Sequence, residues 1–270
     1  MPTFLHGDCL ELMKKMPDKS IDLFVCDLPY GCLSAGFKSK PNTSVLDLRQ
    51  DNPTPKDLGT PCAWDIPLDL AQFWVQVKRL AKDDHTPVLM FCSTKFGYEL
   101  IKSNEAWFRY DLVWNKKRGV SFLAANKMPM RSHEMIYVFA KKGAHYYRKD
   151  VEGEFKEWVR TGKGADRTAR QYGIKQENEG HREGGDGTRC VLSVIDVKGI
   201  ATRGGHPTQK PDDLYAWLID RYSKEGDTIL DPTAGSFASV FTAAKMNRHA
   251  IGIEKNDAFF AKAIARSQQQ

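Results

Sequence analysis

The sequence lacks several features that would assign the chain to a particular class of protein. No uninterrupted apolar run approaches the ~20 residues of a membrane-spanning helix. Residues 1–7 have neither the basic flank nor the long apolar segment of a signal peptide. None of the six cysteines has C-x-x-C spacing, which favours separate reduced thiols over a zinc site. We therefore expect a cytoplasmic protein without a structural metal.

The composition is that of an ordinary globular protein, with an uneven distribution of charge. Hydrophobic residues make up 41% and charged residues 27% of the 270-residue chain, which is long enough for one sizeable core and an inserted subdomain. The net charge of +6 permits a polyanionic partner without requiring one. Between residues 116 and 131 there are basic residues but no acidic ones: Lys116, Lys117, Arg118, Lys127 and Arg131. Such a run is commonly a solvated loop, but this one directly follows a strand that we place near the functional site.

Apolar runs that alternate between strand-like and helix-like patterns predict an α/β fold. Strands are predicted at 4–6, 21–26, 87–91, 108–114, 134–140, 228–230 and 249–253. Helices are predicted at 10–16, 67–81, 95–103, 211–222, 236–246 and 256–267, the first with Asp8 as its N-cap. Strands separated by helices in this way form a mostly parallel, doubly wound sheet. Residues 31–64, rich in glycine and proline, predict a long loop, and residues 141–205, with frequent glycines and alternating charges, predict an inserted subdomain.

The first informative motif is Asp27-Leu28-Pro29-Tyr30, which follows the apolar strand at 21–26. A carboxylate at the carboxyl end of a buried strand lies where open α/β sheets bind their ligands. The Asp27 carboxylate and the Leu28 carbonyl can accept hydrogen bonds from both hydrogens of an amine on a planar ring, and Pro29 restricts Leu28 to extended conformations. The Tyr30 ring offers a face on which a flipped-out base can stack. An ordinary strand end with a turn is the alternative, because short motifs often match by chance.

The second motif, Asp231-Pro232-Thr233-Ala234-Gly235-Ser236, follows a strand and opens a helix. Small residues there let the backbone approach a ligand closely and expose the amides of the helix N-terminus. Glu254 ends the next strand, at the position from which an acidic residue binds ribose hydroxyls in dinucleotide-type folds. The absence of a full G-x-G-x-x-G argues against NAD and favours a nucleotide-like cofactor without pyrophosphate. The alternative is that Glu254 caps the last helix.

Four further segments join these two motifs in a fixed order over nearly the whole chain. They are Gly7-Asp8-Cys9-Leu10-Glu11, Leu112-Val113-Trp114-Asn115-Lys116, His133-Glu134-Met135-Ile136 and His206-Pro207-Thr208-Gln209-Lys210-Pro211. In this order and with these residues, the chain resembles the beta group of DNA amino-methyltransferases. Two positions depart from the pattern of that family. Leu28 replaces the usual first proline of the tetrapeptide, and Phe237 replaces a glycine that usually follows Gly235-Ser236.

The resemblance implies S-adenosylmethionine as the cofactor and a seven-stranded sheet with one antiparallel edge. It implies a catalytic role for Asp27, Leu28, Pro29 and Tyr30. The residues that it implies for cofactor binding are Asp8, Cys9, Thr208, Lys210, Asp231, Thr233, Ala234, Gly235, Ser236 and Glu254, with Thr208 and Lys210 near the methionine end. We expect the basic residues of 116–131 to bind DNA.

Three regions are expected from the same motif order. Residues 1–115 would form the catalytic half of the methyltransferase domain, and residues 206–270 the cofactor-binding half. Residues 116–205 would form the target-recognition region, with an edge strand near 134–140.

The expected activity is site-specific methylation of the N6 amine of adenine in duplex DNA, with the base flipped out of the helix. Aspartate rather than serine at position 27 favours adenine within the family. A cytosine-N4 methyltransferase, a catalytically silent DNA-binding relative, and an RNA or protein methyltransferase are the alternatives. The recognition sequence depends on a few side chains in the major groove, and both a homodimer and a partner restriction endonuclease stay open.

Overall fold

The computed structural model describes residues 2–30, 67–120, 122, 125–153, 188–200 and 209–268. The chain divides into two compact units, one formed by residues 1–147 together with 193–270 and the other by residues 148–192. The larger unit contains an eight-stranded sheet, and the smaller one contains a two-stranded antiparallel pair. The loop predicted at 31–64 lies outside the described residues.

Every predicted strand and helix is present, although the bounds differ. The strands are β1 (Thr3–His6), β2 (Leu23–Cys26), β3 (Val88–Cys92), β4 (Phe108–Val120), β5 (Arg131–Phe139), β6 (Val151–Glu152), β7 (Thr188–Arg189), β8 (Val194–Asp196), β9 (Thr228–Asp231) and β10 (His249–Glu254). The helices are α1 (Cys9–Lys14), α2 (Leu70–Leu80), α3 (Thr94–Ser103), α4 (Asp212–Tyr222), α5 (Ala238–Lys245) and α6 (Asp257–Ser267). Over the part of the chain that the structure describes, no helix is long and apolar enough to cross a membrane.

The main sheet is almost entirely parallel. Its strand order is β1-β10-β9-β2-β3-β5-β4-β8, and β5 runs antiparallel to both of its neighbours, β3 and β4. All other pairings in this sheet are parallel. The predicted doubly wound α/β class is therefore confirmed, with eight strands rather than seven.

The strand predicted near 134–140 is not an edge strand. It is β5, and it lies inside the sheet between β3 and β4. Beyond β4 the short strand β8, which the sequence patterns did not predict, forms the edge. Residues 135–140 explain this position. They are apolar without alternation, and such a run suits a strand that is covered on both faces. Ile136 and Val138 contribute to one core, while Tyr137 and Phe139 pack into the other.

Helices cover both faces of this sheet and enclose two hydrophobic cores. Because successive side chains of a strand point to opposite faces, Leu23 and Val25 of β2 pack on the side of α4 and α5. Phe24 and Cys26 of the same strand pack on the side of α1, α2 and α3. A strand that is buried on both faces has little freedom to shift its register, so the residue that follows β2 is held in a fixed place.

Four carboxylates lie in order along one edge of this sheet. Asp8 follows β1, Glu254 ends β10, Asp231 ends β9 and Asp27 follows β2, and these four strands are consecutive neighbours in parallel arrangement. The chain leaves β2 towards β3 and leaves β9 towards β10, so it winds in opposite directions from this pair of strands. Ligands of open α/β sheets bind outside the carboxyl ends of strands at such a reversal.

Replacement of Gly252 by alanine should destabilise the fold. A Cβ atom at Gly252 would lie 2.6 Å from Val240 Cγ2 and 2.7 Å from Phe237 Cδ1, and overpacking of this kind costs about 1–3 kcal/mol. Gly143→Ala is the matched control, because a Cβ atom there would meet nothing within 4 Å. Urea unfolding should show a lower midpoint for Gly252→Ala only. Equal midpoints for the two variants would contradict the packing described here.

Candidate active site

The Asp27 carboxylate is held by two donors from different parts of the chain. Its Oδ1 accepts a hydrogen bond from the Tyr30 hydroxyl at 2.9 Å, and its Oδ2 accepts one from Lys210 Nζ at 2.6 Å. The side chain of Leu28 is buried in the core beneath the sheet edge. Among the described residues no donor reaches the Leu28 carbonyl, so this second predicted acceptor remains available for a ligand.

Lys210 is a buried ammonium with carboxylates on two sides. Only 5% of its side chain is exposed, and Glu134 Oε2 lies 3.5 Å from Nζ. The ammonium also lies 5.1 Å from the centre of the Phe91 ring. Burial by itself would lower the pKa of Lys210, but Asp27 and Glu134 raise the pKa above its ordinary value. Lys210 therefore remains a cation next to the predicted catalytic carboxylate.

Glu134 belongs to the same cluster of charges. Its Oε1 accepts a hydrogen bond from the Lys116 ammonium, and the Lys116 side chain is only 14% exposed. Burial alone would raise the pKa of Glu134, but the two cations Lys210 and Lys116 bring it below its ordinary value. Asp27, Lys210, Glu134 and Lys116 thus form a row of four charges that alternate in sign.

Tyr30 lies in a largely apolar environment and remains protonated. Burial, followed by the nearby charge of Asp27, raises the pKa of its phenol well above the ordinary value. Its ring stacks on Phe96 with the centroids 4.8 Å apart. A planar ligand that stacks on Tyr30 would extend this pair of rings.

The two predicted motifs are in direct contact. The Thr233 hydroxyl donates a hydrogen bond to the Asp27 carbonyl at 3.1 Å, and the Thr233 backbone N–H donates to Asp231 Oδ1 at 3.1 Å. The other Asp231 oxygen accepts a hydrogen bond from the Ser239 hydroxyl. Asp231 is thus buried inside the turn that joins β9 to α5, where it shapes the loop.

Glu254 also organises the second motif. Its Oε2 accepts a hydrogen bond from the Gly235 N–H at 2.8 Å, and its Oε1 accepts one from the Asn256 N–H at 2.6 Å. Burial raises the pKa of Glu254 above its ordinary value, although these N–H donors oppose the shift. The cap of α6 is instead Asn256, whose side chain accepts from the N–H groups of residues 258 and 259.

Phe237, at the position where the family that the chain resembles has a glycine, directs its side chain away from this loop into the core. Its φ of 57° is in the left-handed region that favours glycine, which explains the usual residue. The Phe237 side chain is fully buried and packs against the rings of Phe4 and Phe260. The ring fills space left by Gly252 on β10 and is part of the hydrophobic core.

Asp8 and Cys9 lie at the start of α1. Asp8 is the N-cap that the sequence predicts, since its Oδ1 accepts from the Leu10 N–H at 3.0 Å. Its Oδ2 lies 3.2 Å from Lys255 Nζ. Burial would raise the pKa of Asp8, but the hydrogen bond from Lys255 and its charge lower it. The Cys9 thiol is buried, and this burial raises its pKa to about 12, so it is neutral.

Not every predicted site residue can be placed. Thr208 lies outside the described residues. Within the described ranges no group of acidic, histidine and cysteine residues could hold a metal. Cys9, Cys26, Cys92 and Cys190 are all free thiols.

The basic residues of 116–131 lie on the hairpin formed by β4 and β5. Lys117, Arg118 and Lys127 are exposed, although Lys117 Nζ lies 3.0 Å from Asp196. Arg131 donates a hydrogen bond to the Thr94 hydroxyl at 3.1 Å. Lys116 differs from the others, because it is turned towards Glu134.

Three contributors to the site were missed as such by sequence reasoning. They are Glu134, Phe96 and Ser239, which contact Lys210, Tyr30 and Asp231 respectively. Glu134 carried a usable signal, since it is an acidic residue directly before an unbroken apolar strand segment. A charge at the end of such a segment needs a partner.

Comparison with known proteins points to one family. The model of the DNA methylase family N6_N4_Mtase matches residues 21–265. The chain is 24% identical over 283 aligned residues to the type II methyltransferase M.HinfI of Haemophilus influenzae, and the match covers 99% of this chain and 68% of that protein.

Two solved structures share the fold. The complex of M1.HpyAVI with SAM aligns over 99% of both chains, with a TM-score of 0.59 and 17% identity. The cytosine-N4-specific PvuII DNA methyltransferase aligns over 98% of this chain and 88% of its own, with a TM-score of 0.60 and 14% identity.

Asp231 should make the stability of the protein depend on pH. Burial raises its pKa to about 7, whereas an aspartate of the unfolded chain titrates near 3.9. Between these values the unfolded chain releases a proton that the folded state retains, so the folded state loses stability as the pH rises. Asp231→Asn lacks this loss. We expect its unfolding free energy to improve relative to wild type by at least about 1.4 kcal/mol, one pKa unit, between pH 4.5 and pH 7.5.

Urea unfolding at the two pH values measures this difference, and contributions from groups that do not interact with Asp231 cancel in the comparison. A difference between variant and wild type that is the same at both pH values would show that Asp231 is ionised throughout.

Proposed function

This chain belongs to the DNA methylase family, and we propose that it transfers a methyl group from S-adenosylmethionine to the N6 amine of adenine in duplex DNA. The observation that carries the proposal is the contact between the two motifs at the carboxyl ends of β2 and β9. The hydrogen bond from Thr233 to the Asp27 carbonyl sets a carboxylate suited to an amine beside a loop suited to a nucleoside. A transfer reaction requires these two ligands to be neighbours.

The residues at the ends of β1, β10 and β9 fit S-adenosylmethionine. Glu254 offers a half-buried carboxylate for the ribose hydroxyls, and the Gly235 N–H that it now binds lies in the turn before α5. Asp8 offers a second carboxylate beyond β1. When bound, S-adenosylmethionine supplies a methyl carbon attached to a positively charged sulfur, which becomes a neutral thioether after transfer.

Asp27 acts on the amine that receives the methyl group. The lone pair of an exocyclic amine is delocalised into its ring, which makes the nitrogen a poor nucleophile. Hydrogen bonds from its two hydrogens to the Asp27 carboxylate and the Leu28 carbonyl draw the nitrogen towards tetrahedral geometry. Once the methyl group is bound, one of these hydrogens leaves the nitrogen as a proton, by way of the Asp27 carboxylate to water, which gives the neutral methylated amine. The base is held at the same time by stacking on Tyr30, which is worth ~1–3 kcal/mol per base in comparable sites. A base inside a duplex cannot reach this position, so it must be flipped out.

Two alternatives differ from this proposal. One methylates a different base, and the other binds DNA without turnover. Cytosine-N4 methylation is the nearer alternative, because the PvuII enzyme that shares the fold is cytosine-N4-specific. Support for adenine comes from aspartate at position 27, which favours adenine in this family. A catalytically silent relative is suggested by Leu28 and Phe237, but the buried position of Phe237 removes the objection that its ring crowds the cofactor.

The first experiment identifies the methylated base. Duplex DNA from a methylation-free host is incubated with the protein and S-adenosylmethionine, digested to nucleosides and analysed by mass spectrometry. We expect N6-methyladenine. N4-methylcytosine would overturn the choice of base while retaining the family, and the absence of any methylated base would support the silent relative. Sequencing of the modified positions then gives the recognition site.

Two reciprocal variants test the division of labour within the site. Asp27→Ala should lose on the order of 10²-fold or more in turnover, the cost of removing a positioned acceptor, while it keeps its affinity for S-adenosylmethionine. Glu254→Ala should weaken that affinity by about 1.5–3 kcal/mol, because it removes a charged hydrogen-bond acceptor. Calorimetry and single-turnover rates measure the two effects. Unchanged affinity of Glu254→Ala would restrict Glu254 to organising the loop.

The exposed basic residues of the β4–β5 hairpin should contact phosphates. Alanine at Lys117, Arg118 and Lys127 should weaken binding to specific and non-specific DNA about equally. It should reduce the slope of log K against log salt by ~0.9 for each phosphate that the variant no longer neutralises. A salt titration of binding by fluorescence anisotropy measures this slope.

A matched control removes the same charge elsewhere. Lys82, Lys141 and Lys142 lie at the opposite end of the sheet strands, where they pair with Asp22 and Asp84. Alanine at these three positions should leave the slope nearly unchanged. If both triple variants change the slope equally, the effect is one of net charge and the hairpin does not contact DNA.

A further inference from the structure

We propose that Lys210 is a positioning residue for the Asp27 carboxylate, that Glu134 holds Lys210 in place, and that Lys210 does not contact the cofactor. The inference rests on the proposed function for its kinetic part. The observation behind it is the row of alternating charges Asp27, Lys210, Glu134 and Lys116. Its members come from three separate parts of the chain: the end of β2, the segment before α4 and the β4–β5 hairpin.

Burial of a charged cluster such as this one opposes folding. Removing an ammonium and two carboxylates from water costs free energy that ion pairing often only offsets, and apolar residues of similar volume are frequently at least as stabilising. Only 5% of the Lys210 side chain is exposed, so contact with water does little to offset the free energy of desolvation. Such a group beside a predicted catalytic carboxylate therefore indicates a role in the site.

The geometry shows what that role is. Lys210 Nζ bonds Asp27 Oδ2 at 2.6 Å, the Tyr30 hydroxyl bonds Oδ1 at 2.9 Å, and Thr233 bonds the Asp27 carbonyl at 3.1 Å. One donor on each carboxylate oxygen fixes the rotation of the carboxylate about the Cβ–Cγ bond of Asp27. Each oxygen can still accept a second hydrogen bond, so the amine of a base meets an acceptor whose direction is already set.

Glu134 explains why the cation does not simply neutralise Asp27. Its Oε1 binds Lys116, while its Oε2 is buried, has no hydrogen-bond partner among the described residues and faces Lys210 Nζ at 3.5 Å. The Lys210 charge is therefore shared between two carboxylates, and Asp27 keeps its capacity to accept. Lys116, which the sequence pattern placed on DNA, completes the row from the hairpin side.

Replacement of Lys210 by methionine tests the proposal, because methionine preserves the apolar stem without the charge. We expect a loss of turnover on the order of 10²-fold and less than a twofold change in the Kd for S-adenosylmethionine by calorimetry. The matched control is Lys82→Met, which breaks the 2.7 Å ion pair with Asp22 at the other end of β2 and should leave turnover unchanged. A loss of cofactor affinity in Lys210→Met would overturn the proposal.

The pH dependence of turnover separates positioning from general structural damage. Without Lys210, the carboxylates of Asp27 and Glu134 lose their shared cation, so the acid limb of the pH–rate profile should move to higher pH by about one unit or more, the usual effect of a nearby opposite charge. Adding Glu134→Gln should return the limb towards wild type, because it removes one of the two negative charges. Lys210→Arg, which keeps the cation, should retain the wild-type limb even if its rate is lower. An acid limb that stays in place in Lys210→Met would contradict the proposal.

The other titratable groups around Asp27 do not confuse this comparison. They are Tyr30, Cys26, Cys92, Tyr215 and Asp231. Burial keeps the tyrosines and cysteines protonated by raising the pKa of each one. Asp231, whose pKa is raised to about 7 by burial, titrates in this range, so the profiles are also compared in the Asp231→Asn background, where it contributes no titration.

A measurement without turnover keeps the two proposals distinct. If wild-type protein methylates no base, the proposed function fails, but the position of Asp27 can still be compared in crystal structures of wild type and Lys210→Met. We expect the carboxylate to rotate away from its wild-type orientation once Lys210 is removed. An unchanged carboxylate would overturn the positioning role whatever the activity of the protein.

Discussion

The parallel pairing of β2 with β9 is the constraint on which the candidate site depends. These strands lie about two hundred residues apart in sequence, yet Leu23 pairs with Ile229 and Phe24 with Leu230. Because both strands are buried on both faces, a slip of one residue would turn their core side chains to the wrong side. The fixed register places Asp27 beside Thr233 and thereby joins the proposed amine-binding motif to the proposed nucleoside-binding loop.

Buried carboxyl groups provide the second level of organisation. Asp231 ends β9 and Glu254 ends β10, and their oxygens accept hydrogen bonds from N–H and hydroxyl donors of the turn after β9 and of the start of α5. Asp27 differs, since its strongest partner is a cation from a distant segment. Carboxyl groups that look alike in sequence therefore differ in their partners: those of Asp231 and Glu254 bind neutral donors nearby, whereas that of Asp27 binds a distant cation. Preorganised acceptors of this kind are effective because they need no rearrangement during the reaction.

Much of the fold was predictable, because the spacing of apolar residues distinguishes amphipathic helices from buried strands. The location of β5 was not, because pairing order depends on contacts between residues far apart. Its run of apolar residues from Met135 indicated cover on both faces, which an edge strand does not have. In the site, motif order made Asp27, Glu254 and Lys210 candidates, but no spacing rule links Lys210 to Asp27 across 183 positions. Such pairs become visible only when the chain is folded.

The contact between Phe237 and Gly252 has a consequence for how the sequence can change. The aromatic ring occupies the volume that any larger residue at 252 would need, so the two positions are not independent. A larger residue at 252 is tolerated only if both the Phe237 ring and the Val240 side chain make room for it, and glycine at 237 would leave a cavity in the core. Position 252 can therefore accept a side chain only after its neighbours have become smaller, so the order in which these substitutions occur matters.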